Sequence, residues 1–120
     1  MEKYSATVTE IGPYVSEFVD HNILVFFGAE APEELREFAI LHDGKDMQGR
    51  LLKGDQIKLD NQSYLVLAVG EVANDNLANL GHLVVKFNGE DEVEMPGDVC
   101  VEAKALPEIK RGLTIQITGQ

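Results

Sequence analysis

Short apolar or alternating segments, separated by turn residues, recur along the chain and predict β-strands. These segments lie at residues 4–11, 23–27, 39–42, 56–59, 63–69, 82–87, 98–102 and 113–118. The segment 23–27 is apolar on both faces, which indicates a buried strand, whereas the last two segments alternate polar with apolar positions. Seven or eight such strands predict an all-β fold: a small closed or nearly closed β-barrel of short, mainly antiparallel strands, with a sandwich as the alternative.

Turn and helix signals between the segments predict how the strands are connected. The Asp-Asn pair at 60–61 and the Asn-Gly pair at 88–89 each predict a hairpin. Pro32 followed by two glutamates at 33–34 predicts one short helix, because proline is tolerated in the first turn and carboxylates favour the positive end of the helix dipole. Residues 70–81 have leucines at helical spacing but also an Asn-Asp-Asn run, so we expect a loop with one helical turn.

Composition narrows the class of protein. The 120 residues fit one domain, 1–120, and include 10 basic and 21 acidic side chains, a formal net charge of −11. Such a charge repels phosphate backbones and anionic lipid headgroups, so nucleic acid and membrane surfaces are poor candidate partners. The sequence has no signal-peptide pattern and a single cysteine, which agrees with a reducing compartment, and we expect the protein to be cytoplasmic.

The chain also lacks the motifs of several functional classes. It has no glycine-rich phosphate loop, no Cys-x-x-Cys pair, no His-Glu-x-x-His motif and no Gly-x-Ser-x-Gly elbow. These absences argue against a nucleotide site, a structural zinc site and a triad hydrolase. We therefore expect no cofactor and no bound metal.

The candidate reactive residue is His42, which ends an apolar strand segment just before an Asp-Gly turn. A histidine exposed at a barrel rim is mostly neutral at pH 7 and can act as a base, ligand or nucleophile. His82 opens another strand and could meet His42 across the rim, whereas His21 lies in a polar turn and is assigned no role. A structural role for His42 and His82 stays open. A metal site formed by these two histidines and Cys100 also stays open, although no local spacing supports it.

Four segments carry a resemblance to a known family: 7–12 (TVTEIG), 27–35 (FGAEAPEEL), 40–42 (ILH) and 68–82 (AVGEVANDNLANLGH). The last of these is long and specific. Over nearly its whole length, the chain resembles the glucitol/sorbitol-specific IIA component of the bacterial phosphoenolpyruvate-dependent sugar phosphotransferase system.

The resemblance implies a small β-barrel in which His42 is the phosphorylated histidine. Such a component accepts a phosphoryl group from the phosphocarrier HPr and passes it to a sugar-specific IIB domain during glucitol/sorbitol uptake, so HPr and the IIB/IIC permease components are the expected partners. We expect His82 to lie near His42 and to stabilise the phosphorylated state by donating a hydrogen bond. A homodimer stays open. The alternative function is a non-catalytic β-barrel binding module with structural or ligand-binding histidines.

Overall fold

The computed structural model describes all 120 residues as eight strands and three short helices. In chain order these are β1 (Glu2–Ile11), α1 (Val15–Val19), β2 (Ile23–Gly28), α2 (Glu33–Arg36), β3 (Ile40–His42), β4 (Gln56–Leu59), β5 (Gln62–Val69), α3 (Ala73–Leu80), β6 (Leu83–Lys86), β7 (Asp98–Val101) and β8 (Thr114–Thr118). No helix among them is both long enough and apolar enough to cross a membrane.

The strands form a closed barrel in the order β1-β3-β2-β6-β7-β5-β4-β8, with β8 pairing back onto β1. This confirms the predicted all-β barrel, which is mainly antiparallel: only the β2–β3 and β6–β7 pairs are parallel. Closure leaves no free sheet edge, so the backbone groups of every strand find partners. The hairpin predicted at 60–61 is also confirmed, since β4 and β5 pair in antiparallel register from Gln56↔Leu65 to Leu59↔Gln62.

The hairpin predicted at the Asn-Gly pair is wrong. A turn does form there, with Gly89 at a φ of +69° and the Glu90 N–H donating to Asn88 Oδ1. The chain then runs back through an extended loop, so that β7 pairs with β6 in parallel, with Val85 opposite Val99. A local turn signal fixes the change of direction but not which strand the chain joins afterwards.

The helix predicted after Pro32 is present as α2, and the structure has two further helices, α1 and α3. The largest difference lies at residues 70–81, where the expected loop with one helical turn is instead the two-turn helix α3. This helix covers one end of the barrel with Ala73 and Leu77, and it ends at Gly81 in the left-handed conformation. Tertiary packing of one apolar face therefore outweighs the poor helix propensity of its asparagines.

The barrel interior is filled mainly by branched aliphatic side chains from all eight strands. In the short strand β3, Ile40 belongs to this interior cluster, whereas Leu41 packs outside the barrel wall against Phe27 and Ala39. Because successive side chains of a strand point to opposite faces, this alternation directs His42 into the end of the barrel.

Candidate functional site

His42 lies at the end of β3, held between two strands. Its partners in the sheet are Val8 on β1 and Gly28 on β2. The expectation of an exposed rim histidine is wrong, because His42 is only 1% exposed, with its ring edge-on to the rings of Tyr4 and Phe26. The imidazole is thus fixed by packing rather than free in solvent.

Each ring nitrogen of His42 forms a hydrogen bond with a backbone group. Nε2 lies 2.8 Å from the Gly81 carbonyl oxygen, and the Gly44 N–H donates to Nδ1 at 3.1 Å. A carbonyl can only accept and an amide N–H can only donate, so the partners assign the tautomer: Nε2 carries the proton and Nδ1 carries the lone pair. The site therefore holds a neutral imidazole with its lone pair on Nδ1.

Burial lowers the pKa of His42 below its ordinary value, and this effect outweighs the upward influence of the Gly81 carbonyl and the Asp43 carboxylate. A charged imidazole would lose solvation in this position, and its second proton would face the Gly44 N–H. His42 therefore stays neutral at physiological pH, as a nitrogen nucleophile requires.

A surface pocket of about 470 Å³ gives access to this buried ring. Its lining comes from three places: the β2 end and the loop after it, the β3 end and the residues after it, and the last turn of α3. His42 and Gly44 lie in the lining, beside Leu80, which is 52% exposed at the surface. This opening is therefore a route by which a partner can reach His42.

The charges around the pocket are mixed. Two carboxylates lie close to His42, since Asp43 is the next residue and Glu30 lines the pocket. Asp43 is exposed, and its Oδ1 accepts the Thr7 N–H at 2.8 Å, which holds the carboxylate against β1. Lys45 is the only cation in the lining, so it is the side chain that can attract an arriving anion.

The other predicted site residues do not line the pocket. His82 stacks on the Phe27 ring at 4.1 Å between centroids, and its Nδ1 lies 3.2 Å from the Phe26 carbonyl oxygen. It follows Gly81 directly but is absent from the pocket lining. The Cys100 thiol contacts Asn88 and the Glu92 carbonyl, so the alternative metal site with His42 and His82 is not assembled.

Two glycines in the site were missed by sequence reasoning. Gly81 ends α3 at a φ of +64°, which aims its carbonyl at His42, and a Cβ there would lie 2.9 Å from the imidazole Cε1. Gly44 supplies the N–H to Nδ1, and a Cβ on it would meet the Tyr4 ring. The signal for Gly81 was present, since a glycine after leucines at helical spacing is the usual helix end. No such signal existed for Gly44.

The buried amide of Asn74 anchors α3 to the segment that follows β3. Its Oδ1 accepts the Leu51 N–H at 2.7 Å, and its Nδ2 donates to the Leu51 carbonyl at 3.0 Å. The sequence pattern placed this residue in a loop with one helical turn. Instead, these two hydrogen bonds hold α3 in place. The Gly81 carbonyl, directly after the helix, is thereby positioned against His42.

Comparison with known proteins places this geometry in context. A family model described as the PTS system glucitol/sorbitol-specific IIA component matches residues 3–116. The glucitol/sorbitol-specific EIIA components of Shigella flexneri and Escherichia coli K12 are each 35% identical over 113 residues, covering 94% of this chain and 92% of theirs. The crystal structure of a PTS system IIA component from Enterococcus faecalis V583 is similar, with a TM-score of 0.79 and 28% identity over 92% of this chain and 96% of that chain.

Proposed function

The chain belongs to the family of glucitol/sorbitol-specific IIA components of the phosphotransferase system, which relay a phosphoryl group during sugar uptake, and on that premise we propose that His42 carries the phosphoryl group. As a IIA component, the protein works with HPr and with IIB and IIC components. We propose that phospho-HPr is the direct donor and that the IIB domain of the glucitol/sorbitol permease is the acceptor.

The pair of backbone contacts on the His42 ring is the observation that supports this most. A phosphoryl carrier needs one unprotonated ring nitrogen and a second nitrogen whose proton is held in place. Nδ1 and Nε2 of His42 meet these two needs, through Gly44 and Gly81 respectively. We therefore assign Nδ1 as the phosphorylated nitrogen.

The Gly81 carbonyl also favours the onward transfer. When Nδ1 bonds to phosphorus, the ring becomes more acidic at Nε2, and the carbonyl 2.8 Å away stabilises the proton that remains there. A ring that keeps this proton leaves as neutral imidazole when the phosphoryl group departs, and neutral imidazole is a better leaving group than its anion. A weak N–P bond suits a carrier, because the group must be accepted and then released.

Phosphorylation of the full chain tests the assignment of His42. The protein is incubated with phosphoenolpyruvate, enzyme I and HPr, and intact mass is followed for a gain of one phosphoryl group that is lost in acid and stable in alkali. His42→Ala should gain none, whereas the exposed His21→Ala serves as the matched control and should be labelled like the wild type. His42→Ala loses two hydrogen bonds and leaves a cavity, so circular dichroism checks its fold and His42→Gln provides a second variant. Full labelling of either His42 variant would exclude this carrier.

The same assay tests the predicted role of His82. If its side chain donates a hydrogen bond that stabilises the phosphorylated state, His82→Gln should transfer far better than His82→Ala, because glutamine keeps a donor. Equal rates in both variants would leave His82 only its contacts with Phe27 and the Phe26 carbonyl.

A further inference from the structure

Tyr4 carries the only buried side-chain nitrogen or oxygen in the protein that lacks a hydrogen-bond partner. The residue is 3% exposed, and its side chain points into the barrel from β1. Every other buried polar or charged residue has a partner for its side chain: Lys3, His42, Asp55, Asn74 and Asp98. A buried hydroxyl without a partner costs free energy, and in a native structure it calls for an explanation.

The unpaired hydroxyl lies beside the proposed carrier. The rings of Tyr4 and His42 meet edge-on, with centroids 5.9 Å apart at an interplanar angle of 87°. The Tyr4 Oη lies close to Gly44, because a Cβ added to this glycine would be 2.5 Å from it. Gly44 is the residue whose N–H reaches His42 Nδ1. The hydroxyl and this N–H are therefore neighbours on the side of the imidazole away from Gly81.

A phosphoryl group on Nδ1 would bring new acceptors to this place. In the transfer step, the Nδ1 lone pair forms the bond to phosphorus, the bond from phosphorus to the donor's leaving atom breaks, and that atom keeps the electron pair. The Nε2 proton stays with the Gly81 carbonyl. The Gly44 N–H, which has lost its lone-pair acceptor, is then free to bond a phosphoryl oxygen, and the remaining oxygens need further donors.

We propose that the Tyr4 hydroxyl donates a hydrogen bond to a phosphoryl oxygen carried by His42, so that Tyr4 is a catalytic residue of the transfer. This inference rests on the proposed function of His42. It explains why a hydroxyl is kept without a partner in the unphosphorylated protein: its partner arrives with the phosphoryl group. It also explains the glycine at position 44, since any side chain there would occupy the space of the Tyr4 phenol.

The protonation state of Tyr4 suits a donor. Burial, assisted by the negative charge of Asp43, raises the pKa of Tyr4 to about 12. The hydroxyl therefore keeps its proton throughout the physiological range and adds no negative charge that would repel the phosphoryl group.

Tyr4→Phe tests the proposal, because it removes the hydroxyl and keeps the ring. The full-length variant should be at least as stable in urea as the wild type, since no hydrogen bond is lost in the unphosphorylated state. Its rate of phosphoryl acceptance from phospho-HPr should fall roughly 100- to 1,000-fold, the usual effect of removing one donor to a developing oxyanion. The isolated phosphoprotein should also hydrolyse faster.

Tyr64→Phe is the matched control. Tyr64 is also a buried tyrosine, but its hydroxyl donates to Gln62 Oε1 at 2.9 Å and to the Ala105 carbonyl at 2.6 Å, whereas the Tyr4 hydroxyl has no partner. Removing that hydroxyl should lower stability and leave the rate of acceptance unchanged. The two variants should therefore show opposite patterns, a slow but stable Tyr4→Phe and a fast but less stable Tyr64→Phe.

Two results would overturn the inference. A Tyr4→Phe protein that accepts phosphate at the wild-type rate shows that the hydroxyl does not contact the phosphoryl group. A loss of stability as large as that of Tyr64→Phe shows that the hydroxyl has a structural partner instead. In both cases His42→Ala shows whether the proposed function also fails. If this variant stays unlabelled, His42 is still the carrier and only the role of Tyr4 is rejected.

Discussion

Lys3 and Tyr4 are consecutive residues of β1 and equally buried, at 2% and 3% exposure, yet their polar atoms have opposite surroundings. Lys3 Nζ donates to Asp55 Oδ2 and to the Arg50 carbonyl, both at 2.8 Å, and the same Asp55 oxygen accepts the Leu52 N–H. The Tyr4 hydroxyl has no partner.

This difference distinguishes the Lys3 ammonium, which stabilises the fold, from the Tyr4 hydroxyl, for which we propose a role in phosphoryl transfer. A buried charge is tolerated when it is paired and hydrogen-bonded, as Lys3 is by Asp55 and the Arg50 carbonyl. A bare hydroxyl costs about 1–3 kcal/mol, and nothing in the unphosphorylated fold compensates for it at Tyr4. On the proposed function, the Tyr4 hydroxyl gains its partner with the phosphoryl group, whereas the Lys3–Asp55 pair stabilises the fold itself.

Asp55→Ala should have the largest effect on stability, because it removes the buried partner of Lys3. Removing one partner of a buried pair leaves the Lys3 charge without compensation, and the free energy of unfolding should fall by about 3–5 kcal/mol. Urea denaturation measures the loss. The control is Glu10→Ala, whose ion pair with Arg36 is exposed and should contribute less than about 1 kcal/mol. Equal effects of the two substitutions would mean that burial of the Lys3 pair is unimportant.

Gly44→Ala should have an intermediate effect on stability, because it disturbs the packing around Tyr4. The new methyl group would lie 2.5–2.7 Å from the Tyr4 phenol, and the overpacking should cost about 1–3 kcal/mol. A double-mutant cycle with Tyr4→Leu measures the coupling, since leucine removes the atoms with which the methyl collides. The cost of Gly44→Ala should largely disappear in that background. An unchanged cost would place the strain in the backbone rather than against Tyr4.

The smallest expected effect is a pH dependence due to His42. Because burial lowers the pKa of folded His42, the unfolded chain binds a proton first as the pH falls. The free energy of unfolding should therefore be unaffected by this group above about pH 6.5 and decrease below it. Urea titrations between pH 7.5 and 5 should show a steeper decline for the wild type than for His42→Gln. Parallel declines would show that His42 titrates alike in both states.

Local sequence patterns were sufficient to place most of the strands. Alternating or apolar runs gave β4, β5 and β8 nearly to the residue, since side-chain direction along a strand depends only on local backbone geometry. His42 could be selected for the same kind of reason, by its position after an apolar strand and by its resemblance to a family motif. The prediction that it carries the phosphoryl group awaits the labelling experiment.

Contacts between distant parts of the chain decided the rest. The parallel β6–β7 pair follows from closure of the barrel, which no turn residue encodes, and α3 forms because it covers the barrel end and clamps Leu51 through Asn74. The burial of His42 and its neighbour Tyr4, 38 positions earlier in the chain, arise in the same way. A periodic pattern shows which face of a strand is buried. Only the closed barrel, in which every backbone group must be paired and the interior filled, determines which residues meet there.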